Sequence, residues 1–358
     1  MSISTAVGQT DTNVISLALN QDVFFLQGII DEIYRVTPML RFKTLFAEAG
    51  RALRHKEKID DRVRDELIQA FRQTLSHVNR LIYHTTRFND HEKKLVGDWL
   101  HGEFLAFCEL GTWPARALRK PQGIAGDHYT ISQIYFKGNK ENRPLGDIVN
   151  ACFLNEPACR AVINRELHVR NVIMQLMEKN AETPTRVVSM ASGPANELFA
   201  VYDSLDKDQA KRLKAVGIDM DKRACASVDD GINERKLSSC FSTEARNVLR
   251  LGTLPSHLTE QDLVYTMGLI DYFNDKLVIK TLNSIYDMLK VGGSAIVGNF
   301  HTSCDSRIFL DYLLDWQLIY RTEDDMKRLF ASSKFAGCEV SVEFEKEEVN
   351  MLARCTKQ

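Results

Sequence analysis

Apolar residues in the first half of the chain recur at intervals of three and four. Val63, Leu67, Phe71, Leu75, Val78 and Ile82 fall on one stripe of a helix spanning about 60 to 84. The same reading places a helix at about 91 to 110, and another from Pro157 to Glu178 with Val162, Leu167, Val172 and Leu176 on its stripe. Between Gly111 and Arg143 the periodicity dissolves into Pro114, Pro121, Gly123, Gly126 and Gly138 among aromatics. We expect an irregular segment there, of a length that often carries function.

At Asn180 to Thr185 (NAETPT) the pattern changes, and this linker sets an expected boundary between an α-helical domain, 1–180, and a second domain, 181–358. Beyond it come short apolar, β-branched runs separated by helices. TRVVSM from Thr185 reads as a strand, and Leu213 to Ile218 as the next. The run FSTEARNVLRL holds a short third strand, and Asp262 to Thr266 a fourth. An amphipathic helix through Lys290, a turn at Val291 to Gly293 and the strand SAIVGNF follow. Past Thr322 a helix leads to two alternating runs, Glu339 to Phe344 and Val349 to Cys355, which read as a terminal antiparallel hairpin around Glu345 to Glu348.

The turn after the first of these strands carries the most chemistry. Ala191, Ser192, Gly193, Pro194 and Ala195 are small, so backbone N–H groups there can approach a ligand, and the helix that follows adds a partial positive charge. Asp219, at the end of the second strand, is placed to accept hydrogen bonds from ribose hydroxyls. The glycine fingerprint of dinucleotide binders is absent, since only Gly193 remains of its glycines. A pyrophosphate needs close backbone approach at several glycines, whereas S-adenosyl-L-methionine (SAM) has no phosphate and tolerates alanine there.

Composition narrows the function. With 358 residues, 44% hydrophobic and 26% charged, the chain can form two cores. A formal charge of −2, with basic and acidic residues interspersed, gives no footprint for nucleic acid. The first 20 residues lack the features of a signal peptide and no apolar run approaches 18 residues, so we expect a cytoplasmic protein without a membrane span. The eight cysteines are scattered without a C-x-x-C pair, so free thiols and no structural metal are expected.

From Thr185 to the C-terminus the order of elements resembles that of class I SAM-dependent methyltransferases. The resemblance implies an α/β, Rossmann-like seven-stranded sheet, mostly parallel, with a C-terminal antiparallel hairpin and an α-helical N-terminal domain before it. The segments KPQGIAGDHY, EPACRAVINR, GLIDYFND and NFHTSCDSRIFLDYLLDWQLIYRTEDDM resemble the bacterial methyltransferases that make 3-hydroxy fatty acid methyl esters, such as that of 3-hydroxypalmitic acid. That narrower resemblance spans both halves and implies O-methylation of a carboxylate on a small acid.

Site residues follow from position. Glu197 either contacts the cofactor or complements its helix dipole. Met220 and Asp221 adjoin Asp219, and Arg246 and Asn247 fall where this superfamily contacts adenine. Met267 and Gly268 should face the methionine or sulfonium part. His301, as a donor or base, and Asp271 and Tyr272 are the catalytic candidates. Asn299, Arg307 and Arg321 are candidates to hold the acceptor carboxylate, with bidentate pairing open to the arginines. The GIAGDHY segment is expected to fold over the cofactor, with Asp127 on the substrate side, and Tyr129, Tyr135 and Arg165 to join an acyl pocket. A protein methyltransferase and a non-catalytic SAM-fold binding protein stay open as alternatives, and a homodimer is the working expectation for assembly.

Overall fold

The computed structural model describes residues 8–136 and 143–358. They divide into two compact units. One holds the described residues as far as Ala115, then 143–152 and Ser306–Asp315, and the other holds Arg116 to 136, Phe153–Asp305 and Trp316–Gln358.

The first unit is helical. It contains α1 (Gly8–Val36), α2 (Met39–Arg54), α3 (Asp61–Tyr83) and α4 (Asp90–Cys108), with parts of α5 (Thr112–Arg119) and α7 (Pro144–Leu154). Asp60 caps α3 by accepting from the N–H of Arg62, and Asn89 and Glu92 cap α4 reciprocally. The stripe expected on α3 is buried from Val63 to Ile82. Its core is aromatic: Phe71 packs on Phe42, Phe104 and Phe107, with ring centroids 5.5–5.8 Å apart. Ser306–Asp315 joins this unit through a π-helical turn, Phe309–Leu313. Tyr83 donates to Asp311 at 2.8 Å and the N–H of Ile308 to Asn79 at 2.9 Å.

The second unit is a seven-stranded α/β sheet. Its strands are β1 (Thr185–Met190), β2 (Leu213–Asp219), β3 (Phe241–Ala245), β4 (Gln261–Met267), β5 (Leu289–Phe300), β6 (Val340–Phe344) and β7 (Asn350–Thr356), in the order β3-β2-β1-β4-β5-β7-β6. The first five are parallel, and β7 runs antiparallel to both β5 and β6. This is the Rossmann-like sheet with a C-terminal hairpin that the order of elements led us to expect. Both faces are covered, which is why the central strands read as near-continuous apolar runs. Val187, Leu263 and Ile296 enter one layer with α8 (Pro157–Lys179), α9 (Asn196–Tyr202) and α11 (Lys222–Glu234). Val188, Val264 and Val297 enter the other, with α12 (Asp275–Met288) and α13 (Glu323–Ala331). Short α10 (Lys207–Arg212) leads into β2, and α6 (His128–Tyr135) precedes α8.

Two readings are corrected. The stretch expected to be irregular forms α5 and α6, because Asp127 caps a helix that its preceding glycines conceal; Gly138 lies outside the described residues. The turn expected at Val291 to Gly293 is a bulge inside β5, which begins at Leu289, where the helix expected to reach Lys290 has already ended.

Truncating Phe71 to Ala should destabilise the helical unit by about 3–5 kcal/mol, since its ring is fully buried among three others. Amide exchange within α2–α4 measures this, and unchanged protection there would contradict it.

Candidate active site

The carboxyl ends of β1 and β4 border the point where strand order reverses, the place where open α/β sheets form a ligand crevice. The turn that leaves β1 there is strained. Ala191, Gly193 and Ala195 have φ of 53°, 51° and 51°, left-handed values that cost a non-glycine residue about 1–2 kcal/mol each. Hydrogen bonds hold the turn: the N–H of Ser192 donates to Ile218 O at 3.1 Å, and that of Gly193 to Asp219 Oδ2 at 2.9 Å. Asp219 Oδ1 accepts from the N–H of Asp221 at 2.9 Å. Each carboxylate oxygen therefore keeps a lone pair for a hydroxyl. A Cβ placed on Gly193 would meet no atom within 4 Å, so the turn has an open face, beside Pro194.

Around Asp219 the rim is mixed. Met220 is 72% exposed. Asp221 caps α11 and lies 3.4 Å from His128 Nδ1. The N–H of Arg246 donates to Asp219 O, while its guanidinium pairs with Glu244 at 3.0 Å. Asn247 caps a short 3₁₀ turn through the N–H of Leu249. Three residues back from Tyr129, Gly126 packs so tightly that a Cβ there would come within 2.5 Å of Trp316 and 3.0 Å of the Tyr272 hydroxyl. Trp316 in turn donates to that hydroxyl at 2.7 Å. The segment 126–128 thus touches the loop after β2 at one end and the loop after β4 at the other. Those strands are separated by β1, roughly 10 Å in all.

Between these loops sits a charged cluster. Glu197, in the first turn of α9, accepts from Tyr265 of β4 at 2.8 Å; burial raises its pKa against that donor and the nearby Arg165. Arg165 of α8 is 6% exposed, and its guanidinium lies 3.2–3.3 Å from where a Cβ on Gly268 would stand. Gly268 has φ of +84°, so only glycine gives both this backbone and this approach. Burial pushes the Tyr135 hydroxyl up, and Arg165 opposes the shift. Asp271 is 1% exposed, with Oδ1 accepting from the N–H of Phe300 at 2.7 Å. Burial pushes its carboxyl up to about 6, against the Phe300 donor and the charges of Arg165 and Arg321. Several buried polar atoms of this region lack a hydrogen-bond partner: Arg165 Nε, Asp271 Oδ2, Thr266 Oγ1 and the amide of Asn350 at the start of β7. Met267, whose sulfur lies 2.9 Å from a Cβ built on Gly298, lines the same strand ends.

Other candidates have their hydrogen-bonding capacity committed elsewhere. Asn299 donates to Phe300 O and Ile319 O and accepts from Arg321 Nη1. Arg321, buried, also donates to Ile270 O at 3.0 Å and Phe273 O at 2.5 Å, which makes it a clamp on the loop after β4 rather than a carboxylate fork. His301 has both ring nitrogens engaged, by Ser303 at 2.6 Å and Glu323 at 3.1 Å. Asp127 accepts from the N–H of Thr130 and from Arg116, whose guanidinium covers the Tyr129 ring at 4.5 Å. Arg307 belongs to the helical unit, over Tyr83 at 4.0 Å. Sequence reasoning missed His128, Tyr265, Trp316 and Asn350. His128, inside the GIAGDHY segment, and Trp316, inside the segment that begins NFHTSCDS, lay in stretches the sequence singled out; Tyr265 and Asn350 carried no such signal.

No helix among the described residues is long and apolar enough to cross a membrane, and no group of three or more potential metal ligands occurs among them. All eight cysteines are free, and only Cys338 is not buried.

No family model and no curated protein matches the chain. Among solved structures, a "possible exported protein" from Bordetella parapertussis is similar at 17% identity and a TM-score of 0.55, covering 81% of this chain and 95% of that one. Magnesium protoporphyrin IX methyltransferase from Synechocystis PCC 6803 with bound SAM gives 9% identity, 65% and 92% coverage and a TM-score of 0.44. The CMeT domain of the citrinin polyketide synthase gives 11%, 83% and 69%, and 0.48. The first likeness is one of fold alone, and the latter two are too distant to carry an argument.

Replacing Arg321 with Met should cost about 3–5 kcal/mol, because two carbonyls and the Asn299 amide oxygen lose a buried charged donor. Urea unfolding reads it, and a loss below about 1 kcal/mol would show that the clamp is dispensable. Asp271 binds its proton more tightly folded than unfolded, so its contribution to stability is complete below its ordinary pKa of 3.8 and is lost as pH rises to about 6. At about 1.4 kcal/mol per pH unit this is on the order of 3 kcal/mol. Relative to Asp271→Asn, the native protein should lose that amount between pH 4 and pH 7; a pH-independent difference would refute the assignment.

Proposed function

We propose that this chain is a SAM-dependent methyltransferase of the bacterial type that O-methylates a small acid, with the carboxylate of a 3-hydroxy fatty acid as the favoured acceptor. The observation that carries the cofactor reading is the left-handed turn Ala191–Ala195, fastened to Asp219 through the N–H of Gly193, at the reversal point of the sheet. The residues fit the cofactor's parts. Asp219 retains lone pairs for the ribose hydroxyls, exposed Met220 offers an apolar surface beside them, and Gly193 leaves room above the turn. The orphaned polar atoms near Gly268 suit a ligand that is itself charged.

SAM, when bound, supplies an electrophilic methyl group. The protein's task is then to hold an acceptor oxygen about 3 Å away and in line. A carboxylate, with a pKa of roughly 4–5, is ionised near neutral pH and needs no general base. This agrees with a site whose one catalytic-candidate histidine, His301, has both nitrogens engaged. Tyr272, whose hydroxyl accepts from Trp316 and keeps its own proton, can orient the acceptor by donating to it, whereas the Tyr135 hydroxyl donates to Val162 O. Segment 126–128, touching the loops after β2 and β4, serves as a cover that excludes water. The favoured acceptor rests on the sequence resemblance, and the cytoplasmic location and homodimer belong to the same proposal.

Incubation with methyl-labelled SAM and a panel of 3-hydroxy fatty acids should give labelled methyl esters by mass spectrometry. Gly193→Leu, which fills the open face of the turn, should lower ester yield and SAM binding by about tenfold or more with the fold retained by circular dichroism. Ester formation undiminished in that variant, or a folded native protein that binds no SAM by calorimetry, would overturn the reading.

A further inference from the structure

Two buried groups of opposite sign, Arg165 Nε and Asp271 Oδ2, lie in one crevice without hydrogen-bond partners. The charge of Arg165 is near enough to act on the Asp271 carboxyl, yet the two do not form an ion pair. A buried charged atom without a partner is costly, and a direct pair would relieve both. Each is seated against a different neighbour. Arg165 is seated against Gly268, whose left-handed φ shapes that seat, and Asp271 is drawn toward β5 by the N–H of Phe300. A separated buried cation and anion complement a zwitterion, one ligand with an anionic and a cationic end. An acceptor acid offers only the anion, which would satisfy Arg165 and leave Asp271 orphaned. The cofactor proposed above ends in an α-amino acid, which carries both.

We infer that Arg165 binds the α-carboxylate, and Asp271 the α-ammonium, of the cofactor's amino-acid end. The inference rests on the SAM reading of the site. It moves Arg165 from the acyl pocket to the cofactor, and makes Asp271 a cofactor ligand rather than a proton carrier. Glu197, facing the same arginine, is a second acid that stabilises the cationic end.

Calorimetry with the full chain tests it without turnover. The probes are S-adenosylhomocysteine, its analogue lacking the carboxylate, its analogue lacking the amine, and 5′-methylthioadenosine, which lacks the whole amino-acid end. The native protein should bind S-adenosylhomocysteine about 100-fold more tightly than 5′-methylthioadenosine. Arg165→Gln should abolish discrimination against the carboxylate-free analogue only, and Asp271→Asn that against the amine-free analogue only, both leaving 5′-methylthioadenosine affinity unchanged. Equal affinity of the native protein for all four probes would overturn the inference while the SAM reading stands. Failure to bind any of them would overturn both. Should either variant unfold, the native ligand series and Arg165→Lys, which keeps the charge at shorter reach, decide. Arg165→Lys binding all four probes as the native protein does would count against a forked contact.

Discussion

The hydrogen bond from the Gly193 N–H to Asp219 is the constraint on which the site depends. Without it, three left-handed residues in five positions, two of them alanines, would relax toward ordinary backbone conformations. The turn's direction fixes where α9 begins and so where Glu197 meets Tyr265. The same carboxylate anchors the start of the loop after β2 through the N–H of Asp221. One side chain thus couples the ends of two neighbouring strands and still has lone pairs facing the crevice.

A second group of buried polar contacts gives the cluster its rigidity. Arg321 and Asn299 tie the loop after β4 to the end of β5, and Asp271 adds a bond from the same loop to Phe300. On the other side α8 grips the terminal hairpin: Arg160 pairs with both carboxylate oxygens of Glu347 at 2.9 Å, and Asn164 donates to Glu345. Arg165 follows Asn164 directly, so its backbone position is set by a helix held to β6–β7 and its head by Gly268. Groups fixed from two sides can remain unpaired at a cost that a ligand later offsets.

The site was partly legible in the sequence, and the legible part has a common character. Small residues after an apolar run implied a turn of close approach, and an acid at the end of the next run implied an acceptor for ribose hydroxyls; that Asp219 also fastens the turn through the N–H of Gly193 is a finding of the structure. Position along a strand also brought Asn299 and Arg321 to the carboxyl ends. It could not say how their donors and acceptors are satisfied, because their partners, the carbonyls of Ile270, Phe273 and Ile319, come from distant segments. Asp127, expected on the substrate side, is instead a helix cap paired with Arg116, because the glycines before it conceal the helix that it begins.

What the sequence determined by itself is the succession of elements, since the periods of apolar burial, 3.6 on helices and near-continuous on doubly covered strands, are local properties of the chain. The seven strands, their closing hairpin and the small-residue turn follow from it. Tertiary structure alone decided which charges are spent and which are left over. Arg321 and Arg165 are both buried arginines near the carboxyl ends of the same strands, yet one donates to carbonyls and the other keeps an unpartnered Nε. That difference arises from long-range packing around each guanidinium, where hydrogen-bond satisfaction depends on atoms far apart in sequence, and no pattern of residue types records it.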